Sequence, residues 1–404
     1  MGRVVVCADV GSTYTKVAVV DVAGGGLVAT AGHPTTLAEG VHTGLAAAVA
    51  ATGAVTDEWY VCSSAGGGLR LAVVGYERLV TAQAGHRVGL SAGARVVHVA
   101  AGPLDGAGLR ALRAVRPDVL LLVGGTDGGD AATLTHNARR VGRARWRVPV
   151  VVAGNADAAA DVRDALPDAV VTDNVLPRIG VLNPGPARAA IREVFLRHVI
   201  GGRWGGRFAG LVRAATPDAV LAAVELLADD TGGGLVVVDV GGATTDVYSA
   251  LPPGAEQVAE AAGVLARARS VEGDLGVRWN VPGIVDAAAA ERVDHSGPGE
   301  LALARIAATV GLRRHARGEP GGRGRRDLRD VRLVVGSGGP LRHAPPEQAV
   351  RVLADVLADH GGGWPVPRAA ATVIDADYVL AAAGLLAQPH PNTARALLRT
   401  LLRR

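Results

Sequence analysis

Residues 4–20 constrain the fold more than any other stretch. Val4-Val5-Val6-Cys7-Ala8-Asp9-Val10 and Val17-Ala18-Val19-Val20 are two valine-rich runs separated only by Gly11-Ser12-Thr13-Tyr14-Thr15-Lys16. Runs of this length and β-branching read as strands buried on both faces, so the connection between them is a hairpin. Its elbow carries a glycine, hydroxyl side chains and an ammonium, the chemistry that meets phosphate oxygens. Asp9, at the strand end, is placed to hold a metal through water. An ordinary edge hairpin with polar turn residues fits the same pattern. Lys16 is the one lysine of the chain, so 41 of its 42 basic residues are arginine. Where arginine is the default cation, a lone lysine suggests a site that needs a compact point charge rather than a planar fork.

The form recurs. Leu235-Val236-Val237-Val238-Asp239-Val240-Gly241-Gly242-Ala243-Thr244-Thr245-Asp246-Val247-Tyr248-Ser249 is again strand, aspartate, glycine, hydroxyls and strand, with Asp239 lying 230 residues after Asp9. An internal repeat at this distance implies a duplicated lobe, not a solenoid. A third strand, Arg332-Leu333-Val334-Val335, runs into Gly336-Ser337-Gly338-Gly339-Pro340.

Between the repeats, residues 63–186 alternate Val/Leu strands with helical patterns, which implies a parallel sheet covered on both faces. Its strands feed Gly-rich loops: Ser63 to Gly68, Gly124-Gly125-Thr126-Asp127-Gly128-Gly129-Asp130, and Ala153-Gly154-Asn155. Ligands gather at the carboxyl ends of such strands, although tight turns alone also call for glycine. Helices are expected over 187–200 and 217–230, the latter with Pro217 in its first turn and Thr216 as N-cap. The run Val379-Leu380-Ala381-Ala382-Ala383-Gly384 reads as a small-residue helix able to pack very close to a neighbouring backbone.

A chain of 404 residues is too long for one core, so two or three domains are expected. With 3% aromatics the core must be Val, Leu and Ala. The net charge of +4 does not imply a nucleic-acid partner. The Arg/Gly-rich stretch 313–332 lacks aromatics to stack bases and reads as a solvated insertion loop. Cys7 and Cys62 sit in apolar runs and read as core residues, too few for a disulfide or cluster framework. Asp9 interrupts the N-terminal apolar run, which argues against a signal segment, and no apolar stretch is long enough for a membrane span. A cytoplasmic protein without membrane or nucleic-acid partners is expected.

In this order and spacing the three elbows resemble the phosphate-1, phosphate-2 and adenosine motifs of the actin and sugar-kinase ATPase superfamily. That resemblance implies an α/β fold of two ribonuclease-H-like lobes, the actin-like ATPase arrangement, closing on ATP and Mg²⁺, with a Rossmann-like α/β domain inserted. The expected divisions are 1–62 and 187–390 for the lobes, 63–186 for the insert and 391–404 as a tail. Gly11, Ser12, Thr13, Thr15 and Lys16 would meet the phosphates from one side. Gly241, Gly242, Thr244 and Thr245 would meet them from the other, and the backbone at Gly336, Gly338 and Gly339 would carry adenosine. Asp9 and Asp239 would face each other and hold the metal, with Asp246 or Asp239 orienting the attacking water. Two carboxylates about 4 Å apart cost roughly 4 kcal/mol at an effective dielectric of 20, which calls for a cation.

Further motifs extend the match: Ser63 to Arg70, Gly124 to Gly129, His136-Asn137-Ala138, Val151 to Asn155, Asn174-Val175-Leu176-Pro177 and Val271-Glu272-Gly273-Asp274-Leu275-Gly276. With these, most of the chain resembles the glutamate mutase accessory protein family (MutL or GlmL, unrelated to mismatch repair). Membership implies an ATP-dependent helper that releases damaged cobalamin from an adenosylcobalamin-dependent mutase, whose subunits are then the expected partners, a homodimer being left open. A small-molecule kinase of the same superfamily, with Asp127 or Asp130 recruited as base, is the alternative. An actin-like filament protein is a second. An iron–sulfur activator is disfavoured by the cysteine count.

Overall fold

The computed structural model describes residues 2–36, 40–64, 69–77, 81–91, 94–200, 208, 210–232, 234–251, 267–297, 299–318 and 325–403. The chain opens with strands β1 (Val4–Val10), β2 (Tyr14–Asp21) and β3 (Gly26–Pro34), helix α1 (Val41–Ala51) and strand β4 (Trp59–Ser63). Then come β5 (Arg70–Gly75), α2 (Thr81–Ser91), β6 (Arg95–Ala101), α3 (Gly106–Ala114), β7 (Val119–Leu122), α4 (Ala132–Arg143), β8 (Val150–Val152), α5 (Ala159–Ala165), β9 (Val170–Val171) and α6 (Pro184–Val194). The remainder is β10 (Val212–Ala215), α7 (Thr216–Thr231), β11 (Leu235–Val240), β12 (Thr245–Ala250), β13 (Arg267–Glu272), α8 (Val281–Glu291) and α9 (Glu300–Arg317). It ends with β14 (Leu333–Ser337), α10 (Gly339–His343), α11 (Pro346–Ala358), β15 (Ala371–Ile374), α12 (Val379–Leu386) and α13 (Pro391–Leu401).

These elements form two compact units, Met1–Gly66 with Leu211–Arg404, and Gly67–Gly210. The first unit holds two five-stranded sheets, ordered β10-β4-β1-β2-β3 and β13-β12-β11-β14-β15. In each, the first three strands form an antiparallel meander, and two later strands extend the sheet in parallel beyond the first, β4 then β10 beside β1 and β14 then β15 beside β11. This is the ribonuclease-H-like topology, present twice, so the two lobes and the α/β fold class read from the sequence are the ones found.

One apolar cluster joins the lobes. It takes Val5, Cys7, Ala18, Val20 and Cys62 from the first sheet, and Leu235, Val237, Tyr248, Leu333 and Val335 from the second, with α7, α12 and α13 between them. Within the stretch assigned to a C-terminal tail, Pro391–Leu401 form α13, whose Ala394, Leu397, Leu398 and Leu401 are buried in this core. Helices α7 and α12 cross so closely that a Cβ on Gly384 would lie 1.7 Å from the carbonyl oxygen of Ala219. The small-residue run is what permits this. A second cluster packs α8 and α9 on the opposite face of the second sheet through Val236, Val238, Ile284 and Ile306.

The second unit is an all-parallel sheet ordered β6-β5-β7-β8-β9 with helices along it, a doubly wound arrangement. It extends to Gly210 rather than to 186, because α6 packs on α2, β7 and β8. The chain leaves the first unit after β4 and returns on β10, whose Val212 pairs with Val61 of β4. The insert thus departs and re-enters at neighbouring strands. Among the described residues, no helix is long and apolar enough to cross a membrane.

Candidate functional site

The two elbows share one register. In the first sheet Asp9 lies opposite Lys16 and Val10 opposite Thr15. In the second, Asp239 lies opposite Asp246 and Val240 opposite Thr245. Each turn closes through the glycine amide, Gly11 to Tyr14 O at 3.0 Å and Gly241 to Thr244 O at 2.9 Å. A Cβ on Gly11 would sit 2.7 Å from that Tyr14 oxygen, so the tight turn excludes a side chain. The amides of Ser12 and Thr13, and of Gly242 and Ala243, donate to no backbone acceptor among the described residues. All four residues are half-exposed.

The hydroxyls divide differently from expectation. Thr15 and Thr245 are fully buried. Thr15 Oγ1 meets Thr35 Oγ1 at 3.1 Å, and Thr245 Oγ1 donates to Leu275 O at 2.8 Å. Both hydroxyls are engaged by partners inside the protein. The period-2 alternation of a strand requires this, since the aspartate's cross-strand partner and its neighbour point to opposite faces.

The third loop abuts the second elbow. Gly338 has φ +98°, and a Cβ there would lie 2.0 Å from Val240 O and 2.8 Å from Asp239 Oδ1. Gly339 opens α10 with nothing near its Cβ position. Gly336 is a core residue instead, its Cβ position hemmed in by Ile374, Leu341 and Leu353.

Asp9 is 7% exposed and heavily engaged. Lys16 Nζ donates to Oδ2 at 3.3 Å, Thr216 Oγ1 to Oδ1 at 2.6 Å, and the Cys62 thiol lies 3.7 Å from Oδ1. Thr216 was expected to cap α7; its hydroxyl makes no cap bond and is spent on Asp9, 207 residues away. Burial works against the charge of Lys16, but Asp9, Tyr378 and Asp239 outweigh it and hold its pKa above the usual lysine range. Both site aspartates therefore act on one ammonium.

Asp239 and Asp246 play unlike parts. Asp246 is tied down: Arg269, 6% exposed, grips Oδ1 through Nε at 3.0 Å and Nη2 at 2.5 Å, and Thr244 donates to Oδ2 at 3.0 Å. Asp239 accepts no hydrogen bond from a described side chain. Burial lifts its pKa from 3.8 to about 6 against the pull of Lys16, with Asp246, Asp9 and Asp375 adding to the rise. A carboxylate so placed gains most from an incoming cation. Among the described residues no three His, Cys, Asp or Glu side chains converge on one point. A divalent ion here would draw its other ligands from water and phosphate, as Mg²⁺ does.

Sequence reading missed four groups beside the elbows. Asp375, 1% exposed, accepts from Val379 N at 2.8 Å and Leu380 N at 3.2 Å, which starts α12. Burial raises it to about 6 despite those two amides. Tyr378, in the left-handed region at φ 54°, lies with its ring under Lys16 Nζ, 4.0 Å from the centroid, and under Arg342, at 4.2 Å. Arg269 is the fourth partner. None belongs to a motif, and each arrives from a distant element.

In the second unit the loop expected to line a site is closed on its neighbours. Asp127 Oδ1 accepts from Ala156 N at 3.0 Å and Asn174 Nδ2 at 2.9 Å, and Asp127 N donates to Pro177 O at 3.1 Å. Asn155 Nδ2 donates to Gly129 O at 3.1 Å. Residues 65–68 of the first Gly-rich loop lie outside the described residues. The Arg/Gly-rich stretch is not simply a solvated loop either. Arg313 and Arg314 belong to α9; Arg313 is buried between Glu291 O and Asp359, and Arg326 is buried on His315 O. Residues 319–324 lie outside the described residues.

Comparison with known proteins adds three findings. A family model described as MutL protein matches residues 5–299 and 298–402. Protein MutL of Clostridium tetanomorphum is 31% identical over an alignment of 458 positions, covering 98% of each chain. Among solved structures, a nucleotide-free acetone carboxylase is 15% identical over 96% of this chain and 70% of its own, with a TM-score of 0.39. Xylulose kinase from Bifidobacterium adolescentis is 12% identical over 99% and 93%, with a TM-score of 0.32.

Proposed function

The chain belongs to the MutL protein family, and on that premise we propose that it is an ATP-driven accessory factor of an adenosylcobalamin-dependent mutase of the glutamate mutase type, freeing that enzyme of damaged cobalamin. The observation that carries the reading is the pair of same-register elbows whose aspartates, Asp9 and Asp239, act on one ammonium, Lys16. Polyphosphate entering between them meets the open amides of Ser12, Thr13, Gly242 and Ala243 and the charge of Lys16. Adenosine lies along the bare backbone of Gly338 and Gly339. Asp239, which accepts no hydrogen bond from a described side chain, orients the attacking water and would hold Mg²⁺, whose charge would offset that of the phosphates. Asp246 acts by holding Thr244 against Arg269, and Asp9 by holding Lys16.

Hydrolysis matters to the mutase only if nucleotide state alters affinity for it. Full switching between two states takes roughly a 10⁴-fold preference, about 5.5 kcal/mol, and a ligand gripped by both lobes can supply it. The Gly67–Gly210 unit is the part assigned to the mutase. The kinase alternative would need Asp127 or Asp130 as base, and these carboxylates accept hydrogen bonds from Asn174, Ala156 and Thr133 within their own unit.

Calorimetry with Mg·ATP on the wild type and on Lys16→Ala tests the nucleotide step. Uptake by the first and loss in the second is expected; no uptake by the wild type refutes the reading. Replacing 67–210 by a short linker between β4 and β10 should spare ATP hydrolysis and abolish mutase binding. Mutase binding that survives the deletion rejects the assignment of that unit.

A further inference from the structure

We propose that Tyr378 is a positioning residue that sets Lys16 and Arg342 around one ring and so makes of them a single two-cation receptor for the polyphosphate of a nucleotide. This rests on the nucleotide reading above. Lys16 comes from the first sheet's hairpin, and Arg342 from α10, directly after the third loop. The two cations have no covalent or secondary-structure link. Their common neighbour is the Tyr378 ring, 4.0 Å from Lys16 Nζ and 4.2 Å from the Arg342 guanidinium. Two like charges repel; Asp9 holds Lys16 from one side, and the negative face of the ring, within reach of both cations, offsets their repulsion.

The ring has little freedom. Tyr378 precedes α12 in a left-handed backbone conformation unusual for a side chain of its size, held between Asp375 and the first turn of the helix. The cavity among Asp9, Lys16, Arg342, Asp377 and Tyr378 is about 10 Å³, at the lower limit for one water. Lys16 keeps 22% of its side chain exposed and Arg342 is half-buried, so both cations pack on the ring and still present a face to solvent. A lobe-bridging anion is the ligand that meets both at once.

The lone lysine makes the arrangement directly readable. Protein labelled with ¹³C at the lysine ε-carbon gives one resonance, and a ring this close must move the attached protons upfield. Tyr378→Phe should keep that shift, whereas Tyr378→Leu should return the resonance to an ordinary position. In calorimetry Tyr378→Leu should bind ATP and inorganic tripolyphosphate about tenfold more weakly, the loss expected of a desolvated cation–π contact, with adenosine affinity unchanged and Tyr378→Phe like the wild type. Arg342→Met, which leaves ring and backbone in place, should weaken tripolyphosphate without moving the lysine resonance.

An unshifted lysine resonance in the wild type overturns the proposal. So does equal loss of ATP and adenosine in Tyr378→Leu, which would mark a scaffold role. A wild type that shows the ring shift and binds tripolyphosphate but no ATP sinks the nucleotide reading while upholding the receptor. A wild type that binds ATP while Tyr378→Leu binds it equally well does the reverse.

Discussion

Asp239→Asn should make the nucleotide-free protein more stable and inactive at once. The carboxylate is lifted from 3.8 to about 6, first by burial and then by Asp246, Asp9 and Asp375. Above pH 6 the group is ionised in both folded and unfolded chains, and the folded state bears the cost of keeping an anion there. Below 3.8 it is protonated in both and the cost disappears. The displacement corresponds to about 3 kcal/mol, and solvent at this partly exposed carboxylate reduces the expected gain to roughly 1–2 kcal/mol. Asparagine keeps the shape without the charge, and Lys16 retains Asp9 as its partner. For a unit of this size roughly 2–4 °C accompanies each kcal/mol, so the variant should melt ~2–8 °C higher at pH 7.5. The difference should shrink steadily to nothing near pH 4. Differential scanning calorimetry across that range measures it. Addition of Mg·ATP should invert the order, because only the wild type gains about 2.7 kcal/mol at a hundredfold excess over Kd. A pH-independent difference, or a variant less stable at pH 7.5, would refute the electrostatic account of Asp239.

Three other substitutions probe the surroundings. Thr216→Val removes the 2.6 Å hydroxyl bond to Asp9; urea melts should show a loss of about 1–3 kcal/mol as the buried carboxylate loses a donor. Gly338→Ala places a methyl 2.0 Å from Val240 O at a positive φ; roughly 2–3 kcal/mol of destabilisation is expected, together with loss of ATP uptake in calorimetry. Arg269→Met strands Asp246 without its guanidinium, and thermal melts followed by circular dichroism should report a cost of about 3–5 kcal/mol.

The valine-rich strands and the glycine elbows were legible because each is fixed by neighbours within a few residues. β1, β11 and β14 need β-branched side chains on both faces, and a turn closed by Gly11 or Gly241 admits nothing larger. The duplicated lobe was legible for the same reason: the elbow recurs with its aspartate in the same place. What escaped was chemistry assembled across the chain. Thr216 looks like a helix cap from its neighbour Pro217, and only the meeting of α7 with β1 reveals it as a ligand of Asp9. Thr15 and Thr245 looked like phosphate ligands because composition does not say which way a hydroxyl faces; strand alternation does. Arg313 and Arg326 looked solvated because arginine usually is, and burial between carbonyls and Asp359 leaves no trace in the local sequence. Asp246 and Asp239 are indistinguishable as letters, and Arg269 separates them.

The crossing of α7 and α12 has a mechanical meaning. Where Gly384 meets Ala219, peptide lies on peptide, while Val220, Val224, Val379 and Leu380 of the two helices share one apolar cluster around that point. At that one point no side chain separates the two backbones, so any small shear of these packed helices must carry peptide past peptide there. Pulling the same surfaces apart would wet the whole Ala, Leu and Val interior they share with both sheets. The joint is thus stiff to parting, and one added methyl group at residue 384 would force the two helices apart at their crossing.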